Sequence, residues 1–203
     1  MGLALNKSSL KQQRDQLAMY RRFLPSLDLK RQQLLGALKQ SREELEAAQA
    51  EVDEYADSLA GLYPLLGGSA VPSLDLSALV RVKAVRVEEE NVVGARLPIV
   101  REVDCEVAPY STLATPFWLD ELIANLRRMA ELHVLVEVAR VRVERLDVAA
   151  RKITQRVNLF EKVLIPGAEG NIKRIQVALS DEERAAVVRS KIAKKKERAV
   201  VRT

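Results

Sequence analysis

The chain is poor in the residues that make turns and fill a compact globule. Among its 203 residues there are eight glycines and seven prolines, and aromatic side chains account for only 4%. So few turn-forming residues exclude a β-sandwich or β-barrel, and so few rings leave little to fill a large globular core. The single cysteine, Cys105, excludes an intrachain disulfide framework and a cysteine-cluster metal site.

Long hydrophobic runs are also missing. No segment reaches the ~18 consecutive apolar residues that suggest a membrane span, and the amino terminus lacks the apolar core of a signal peptide. We therefore expect a soluble, intracellular chain with no direct membrane insertion. The net charge of +5 and the pI near 9.4 are compatible with acidic partners but do not select one.

The few glycines and prolines are unevenly distributed. Nine of the fifteen lie between Gly61 and Pro116, and the segments on either side hold few. This distribution predicts a first long helix over residues 1–63, a middle head over 64–115 and a second long helix over 116–203.

Both long segments carry a seven-residue period, in which apolar residues recur at alternating spacings of three and four. Such spacing forms one narrow stripe on a helix, which is typical of a coiled-coil seam. Since residues 7–62 and 116–164 would span roughly 84 Å and 74 Å as helices, we expect them to pair antiparallel. The fold class is therefore mainly α, a two-helix coiled coil with a small β-hairpin in its middle region. The clearest seam positions are Leu38, Leu45, Val52, Leu59, Leu122, Met129, Val136, Val143, Val157 and Leu164.

Three features interrupt the regular pattern. The repeat keeps its phase across Pro25, which predicts a kink and not a domain boundary. The run Pro166–Gly170 predicts a break or kink in the second helix, with Ser180–Glu183 as a helix restart. Asn125 is a polar residue at a seam position, where it either fixes the helix register or is simply exposed near the helix start.

The middle segment changes to a period of two. Residues 79–87 and 99–107 alternate in the manner of strands, and residues 88–98 between them are the expected connection. Glu88–Glu90 would then form an acidic hairpin tip, which we favour over a metal or partner site. Because an isolated hairpin is marginal in water, it needs the helices or a partner to cover its apolar face.

No catalytic, cofactor or metal site emerges from the sequence. The only histidine, His133, lies among apolar residues of the second helix, where a surface or packed position is the simplest interpretation. Gly67-Gly68-Ser69 lacks the following lysine of a phosphate-binding loop.

A basic cluster lies close to the carboxyl terminus. Residues 167–203 contain no aromatic side chain, whereas nucleic-acid binding commonly adds aromatic stacking or a recognition helix to a basic patch. A solvated or partner-contacting helix end is therefore favoured over a nucleic-acid site. The cluster comprises Lys191, Lys194, Lys195, Lys196 and Arg198.

Two stretches resemble a known family. Thr154–Pro166 reads TQRVNLFEKVLIP and is followed by NIKRI at residues 171–175, and Glu90–Pro98 reads ENVVGARLP. These blocks are similar to motifs of the D subunits of V-type and A-type rotary ATPases and ATP synthases, and the resemblance extends over essentially the whole chain.

The resemblance implies a non-catalytic rotor shaft with no cofactor of its own. In that family both chain ends lie inside a ring of catalytic and regulatory subunits. The middle faces a socket subunit on the membrane ring, and the small F subunit of the stalk binds alongside. The chain would be cytoplasmic and peripheral to the inner membrane. We expect partner contacts at the basic cluster and, in the middle head, at Glu90, Asn91 and Gly94.

Two other functions fit the composition. A coiled-coil tether of an export-type ATPase machine would share the long helices, although it would not need the strand insert. A nucleic-acid-binding helical hairpin would explain the basic pI, and its affinity would fall steeply with salt.

Overall fold

A computed structural model describes residues 3–62, 78–110 and 118–200. Helix α1 (Lys7–Ser58) ends in a short 3-10 turn, and two strands follow, β1 (Val80–Val92) and β2 (Ala95–Val107). Helix α2 (Leu119–Leu159) then leads through a π-helical turn (Phe160–Leu164) into helix α3 (Ile165–Val200). Gly67–Ser69, which the sequence does not support as a phosphate-binding loop, lies outside the described residues.

The chain divides into two compact units. The first comprises Met1–Arg31 and Ile153–Thr203, and the second comprises Gln32–Lys152. In the second unit, Arg42 of α1 pairs with Asp147, and Tyr55 further along α1 contacts Asn125, so the two helices run antiparallel.

The first unit repeats this arrangement with the later part of the chain. Gln13 meets Asn171, and Tyr20 meets Phe160, so α1 again runs antiparallel to its partner. The predicted fold class, mainly α with paired long helices and a small β-hairpin between them, is confirmed.

The seam positions of the sequence lie on the inner faces of these helix pairs. Leu38, Val136 and Val157 are buried, and none of the others is exposed. Partial burial is expected because two helices cover each other along one stripe only and leave both flanks of the seam open to water. The half-buried members are Leu45, Val52, Leu59, Leu122, Met129, Val143 and Leu164.

The π-helical turn interrupts the α-helical hydrogen bonding without ending the helix. The N–H of Ile165 donates to the carbonyl of Phe160, five residues back instead of four. Pro166 has no N–H to donate to the carbonyl of Lys162, and its ring would crowd that carbonyl in a regular α-helix. The wider π turn, placed directly before the proline, relieves this conflict.

Of the break or kink expected at residues 166–170, a break does not occur, and the kink stays a prediction. Helix α3 runs through Pro166, Gly167 and Gly170, and Ser180–Glu183 lies inside it and not at a restart. The π turn does shift the seam by one residue. An uninterrupted heptad pattern would place residue 167 on the inner face after Leu164, but the buried residue is Ala168. The inner face then continues with the regular spacing at Ala168, Ile172, Ile175 and Leu179.

The hairpin is longer than the sequence pattern predicts. Its turn consists of Val93 and Gly94 alone, with φ of 54° and 86°, the two positive values of a tight turn that suits the twist of paired strands. The Oδ1 atom of Asn91 accepts the Gly94 N–H at 2.8 Å and holds this turn. The expected connection over residues 88–98 is thus wrong, because most of it is paired strand, with Glu89 opposite Pro98.

Pro98 is compatible with strand β2 because of the edge it faces. The N–H and C=O of one strand residue point to the same side, and the Pro98 carbonyl points away from β1, where it accepts a hydrogen bond from Arg142. The missing N–H therefore removes no bond to β1.

The base of the hairpin is anchored at the start of α2. Leu79, Trp118, Leu119 and Ile123 form a buried cluster, against which Val107 and other partly buried residues pack. The helix begins at Leu119, while Pro116, where the predicted range of the second helix starts, falls outside the described residues.

A short hydrogen bond joins the segment that follows β2 to the first turn of α2. Tyr110 Oη donates to Asp120 Oδ1 at 2.5 Å, and this bond to the carboxylate is the main reason that the pKa of Tyr110 lies above its usual 10.0.

Candidate partner-binding surfaces

Two arginines of α2 hold the tip half of the hairpin against the helix. Arg142 Nη1 donates to the carbonyl of Pro98 at 3.1 Å, and Arg145 Nη1 donates to the carbonyl of Arg96 at 3.0 Å. These carbonyls belong to the outer edge of β2, which would otherwise offer unpaired acceptors to another strand. Leu97, between them in sequence, is 1% exposed, so the apolar face of the tip is covered by the chain itself.

The acidic run Glu88–Glu90 is not a hairpin tip, as the sequence suggested, but part of strand β1. Glu88 pairs with Arg101 at 2.8 Å, Glu89 with Arg96 at 3.6 Å, and Glu90 with Arg142 at 3.6 Å. Each carboxylate therefore has a guanidinium beside it. Across residues 3–62, 78–110 and 118–200, no group of three or more His, Cys, Asp or Glu side chains could hold a metal ion.

The three middle residues expected to contact partners have different surroundings. Glu90 is engaged by Arg142, and the side chain of Asn91 is used to close the turn. Gly94 lies at the rim of an open groove of about 570 Å³ between the hairpin tip and α2. The ENVVGARLP motif thus builds the tip, and only part of it remains available to another molecule.

A polar pair crosses the seam of the second unit. Tyr55 Oη donates to Asn125 Oδ1 at 2.9 Å, and the contact is partly buried. Of the two interpretations of Asn125, this favours the fixing of register, because sliding the helices would leave both polar groups without their partner. A salt bridge of 3.0 Å between Arg128 and Glu51 lies on the flank of the same seam.

The first unit has a comparable set of cross-helix contacts. Asn171 Nδ2 donates to Gln13 Oε1 at 3.2 Å. Arg21 pairs with Glu169 at 2.6 Å, and the rings of Tyr20 and Phe160 meet edge to face with their centroids 5.5 Å apart. Each unit therefore combines an apolar stripe with polar contacts that specify one axial alignment.

Residues 181–195 of α3 have no seam. Leu179 and Ser180 are half-buried, and every residue from 181 to 195 is exposed. Lys191, Lys194 and Lys195 are thus accessible, and so are the apolar Val188 and Ile192. The helix continues past Lys196 and Arg198, whose side chains lie outside the described part of the chain.

The residues considered for chemistry have ordinary surroundings. His133 is exposed on α2, and Cys105 is half-buried in β2. Within the described ranges, no helix is both long enough and apolar enough to cross a membrane.

Comparison with known proteins gives a consistent result. The family model for the D subunit of ATP synthase matches residues 9–195. The V-type ATP synthase D subunit of Borreliella burgdorferi is 33% identical over 95% of this chain and 93% of its own length. The proteins of the same name from Chlamydia pneumoniae and Chlamydia abortus are 32% and 34% identical, each over 95% of this chain and 91% and 92% of their own lengths. The chain belongs to the family of ATP synthase D subunits.

Proposed function

We propose that this chain is the central-stalk subunit, or rotor shaft, of a V/A-type ATP synthase or ATPase. It would transmit torque between the ring that hydrolyses or makes ATP and the membrane ring that moves ions, without contributing a catalytic group. The observation that carries the proposal is the family match over nearly the whole chain, with relatives of almost the same length.

The contacts within each unit support a torque-transmitting role. A shaft has to resist axial slippage of its helices, and a purely apolar seam allows a shift by one heptad at moderate cost. The pairs Tyr55–Asn125 and Gln13–Asn171 oppose such a shift, because each would lose a partly buried hydrogen bond.

The exposed end of α3 supports contact with the ring of catalytic and regulatory subunits. A shaft that turns inside a ring needs many weak polar contacts, because one deep apolar anchor would hold a single angle. Lys191, Lys194 and Lys195 are accessible cations on the part of α3 in which every residue from 181 to 195 is exposed, and they suit acidic or carbonyl-lined ring surfaces. By shifting the conformational populations of each site in turn, an asymmetric shaft would act without a catalytic group.

The remaining partners follow from the same assignment. The middle of the chain, with the hairpin, would face the socket subunit of the membrane ring and the small F subunit of the stalk. The chain would then be peripheral to the inner membrane on its cytoplasmic side, held there by its partners.

The proposal is tested by assembling the complex with variant chains. Replacing Lys194, Lys195 and Lys196 with alanine should weaken assembly or lower the torque and the coupling of ATP hydrolysis to ion transport. A matched control removes the same charge from exposed cations away from both chain ends, Lys30, Lys39 and Arg140. Torque, ATPase activity and ion transport would be measured on reconstituted complexes.

The outcomes separate the two parts of the proposal. Unchanged torque and coupling in the α3 variant, or an equal loss in both variants, would contradict the role of the basic end. Failure of the unaltered chain to co-purify with a ring ATPase would contradict the function itself.

A further inference from the structure

We propose that the groove between the hairpin tip and α2 binds an amphipathic, acidic segment of another subunit of the same complex. That the segment comes from another subunit rests on the proposed function. Its acidic and amphipathic character is inferred from the residues that line the groove. Gly94, Ala95 and Arg96 form one side of the groove. The α2 side is formed by Val141, Glu144, Arg145, Val148, Ala149 and Lys152.

The floor of the groove is apolar. Val148 is 45% exposed, and it lines the groove together with the half-buried Val141 and Ala149 of the same helix and the buried Ala95 of the hairpin. A single exposed valine is common on a helix, but here it belongs to a concave surface with other apolar residues. An apolar side chain of a partner placed over Val148 would remove both surfaces from water.

The rim of the groove is positively charged. Arg96, Arg145 and Lys152 line it together with one acid, Glu144. Arg96 and Arg145 both pair with the carboxylate of Glu89, at 3.6 and 3.8 Å. One negative charge therefore neutralises only half of the positive charge of this arginine pair. The excess of cations around an apolar floor is complementary to a segment in which carboxylates flank apolar residues.

The shape favours a peptide segment over a small anion. The side chain of Arg96 is 79% exposed. A small anion bound there would stay in contact with water and would gain only a weak, solvent-screened ion pair. The α2 wall from Val141 to Lys152 is roughly 17 Å long, which is about three helical turns and matches the spacing of apolar anchors in helix-in-groove recognition.

The groove is also formed in advance of binding. The hydrogen bonds of Arg142 and Arg145 to the edge of β2 fix the hairpin tip against the helix, and the buried Leu97 packs beneath it. A preformed groove spares a partner the cost of ordering this surface.

The first experiment places a photo-crosslinking residue at Val148 in the full chain and assembles the whole complex. The matched control places it at Leu135, which is on the same helix, 40% exposed and outside the groove. We expect position 148 to crosslink to one other subunit through a peptide in which acidic residues flank apolar ones, and position 135 not to yield that peptide.

The second experiment tests the charge. Lys152→Glu should weaken binding of that subunit by about tenfold or more, and a change of the facing acid to lysine should restore it. Lys39→Glu, at an exposed lysine of the same unit, should leave binding unchanged.

The results that would overturn this inference are distinct from those that would overturn the function. If the complex assembles and the probe at position 148 gives no crosslink, a crosslink within its own chain, one to a second copy of the chain, or one to a peptide without acidic residues, the docking proposal is wrong while the shaft proposal stands. If the chain does not assemble with a ring ATPase at all, both are wrong.

Discussion

Replacing Gly167 and Gly170 with alanine should stabilise the protein, although both glycines lie where the sequence suggests a helix break. Each is inside α3, and a Cβ atom built on either would meet no atom within 4 Å. Neither glycine is therefore required by close packing. Alanine is favoured over glycine within a helix by roughly 1 kcal/mol, chiefly because glycine loses more backbone entropy on folding.

The double variant should therefore gain about 2 kcal/mol in the free energy of unfolding. For a chain of about 200 residues, each kcal/mol raises Tm by about 2–4 °C, so the expected rise is about 4–8 °C. The measurement is thermal unfolding of the purified chain, followed by circular dichroism at the helical band.

Two single variants serve as controls for this prediction. Gly36→Ala, in α1 and equally free of neighbouring atoms, should raise Tm by about half as much as the double variant. Gly94→Ala should lower it, because φ of 86° is unfavourable for any residue with a Cβ atom. A gain for Gly36→Ala without any gain for the double variant would refute the reasoning, since it would mean that the helix is not continuous through residues 166–170.

Three further predictions concern packing, register and pH. Leu146→Ala removes a side chain that is 0% exposed and should cost about 2–5 kcal/mol in urea unfolding; a loss below about 1 kcal/mol would contradict the packed seam. Tyr55→Phe and Asn125→Leu should each cost about 1 kcal/mol, and the double variant less than their sum, because the hydrogen bond between them is lost only once; strict additivity in a double-mutant cycle would argue against the pair. In an ultraviolet titration, Tyr110 should ionise above pH 10.0, so its bond to α2 is complete below that pH and is lost as the pH rises through the raised pKa. Tyr110→Phe should remove a tyrosine that ionises above pH 10.0, and an unchanged titration curve would contradict this.

The helix pairs could be predicted because a heptad pattern is local in sequence and specific in meaning. Leu38, Val136 and Val157 follow the same spacing over many turns, and only a helix with one covered stripe explains that repetition. The same regularity makes Asn125 conspicuous as a polar residue among apolar ones, and its partner Tyr55 also occupies a seam position.

The contradicted expectations around Pro98 and Pro166 concern places where a single proline or glycine has no fixed structural meaning. Pro98 suggests a loop, but its carbonyl and missing N–H face the outer edge of β2, where no bond to β1 is lost. Pro166 and Gly167 suggest a break or kink, and a π turn placed just before the proline keeps the helix continuous. Both adjustments depend on backbone hydrogen bonds that composition does not reveal.

The arginines that hold the hairpin have no signal in the sequence. Arg142 and Arg145 are two of many charged residues on a helix whose outer positions are mostly polar. Their partners, the carbonyls of Pro98 and Arg96, are 44 and 49 residues away in sequence. A contact between a side chain and a distant backbone edge leaves no periodic pattern, so the groove that these arginines help to form could only be found in three dimensions.

The end of α3 beyond Leu179 has a consequence for the thermodynamics of assembly. Over residues 181–195, a length of roughly 22 Å, every residue is exposed and the helix lacks the seam contacts that stabilise it elsewhere. Its order in the isolated chain rests on intrinsic propensity, so its amides should exchange with solvent deuterium much faster than those of the paired segments. Part of any binding free energy would go into ordering this helix, which lowers the affinity for a given contact area. Low affinity with a large contact area suits a surface whose contacts have to be broken and remade at every step of a rotation.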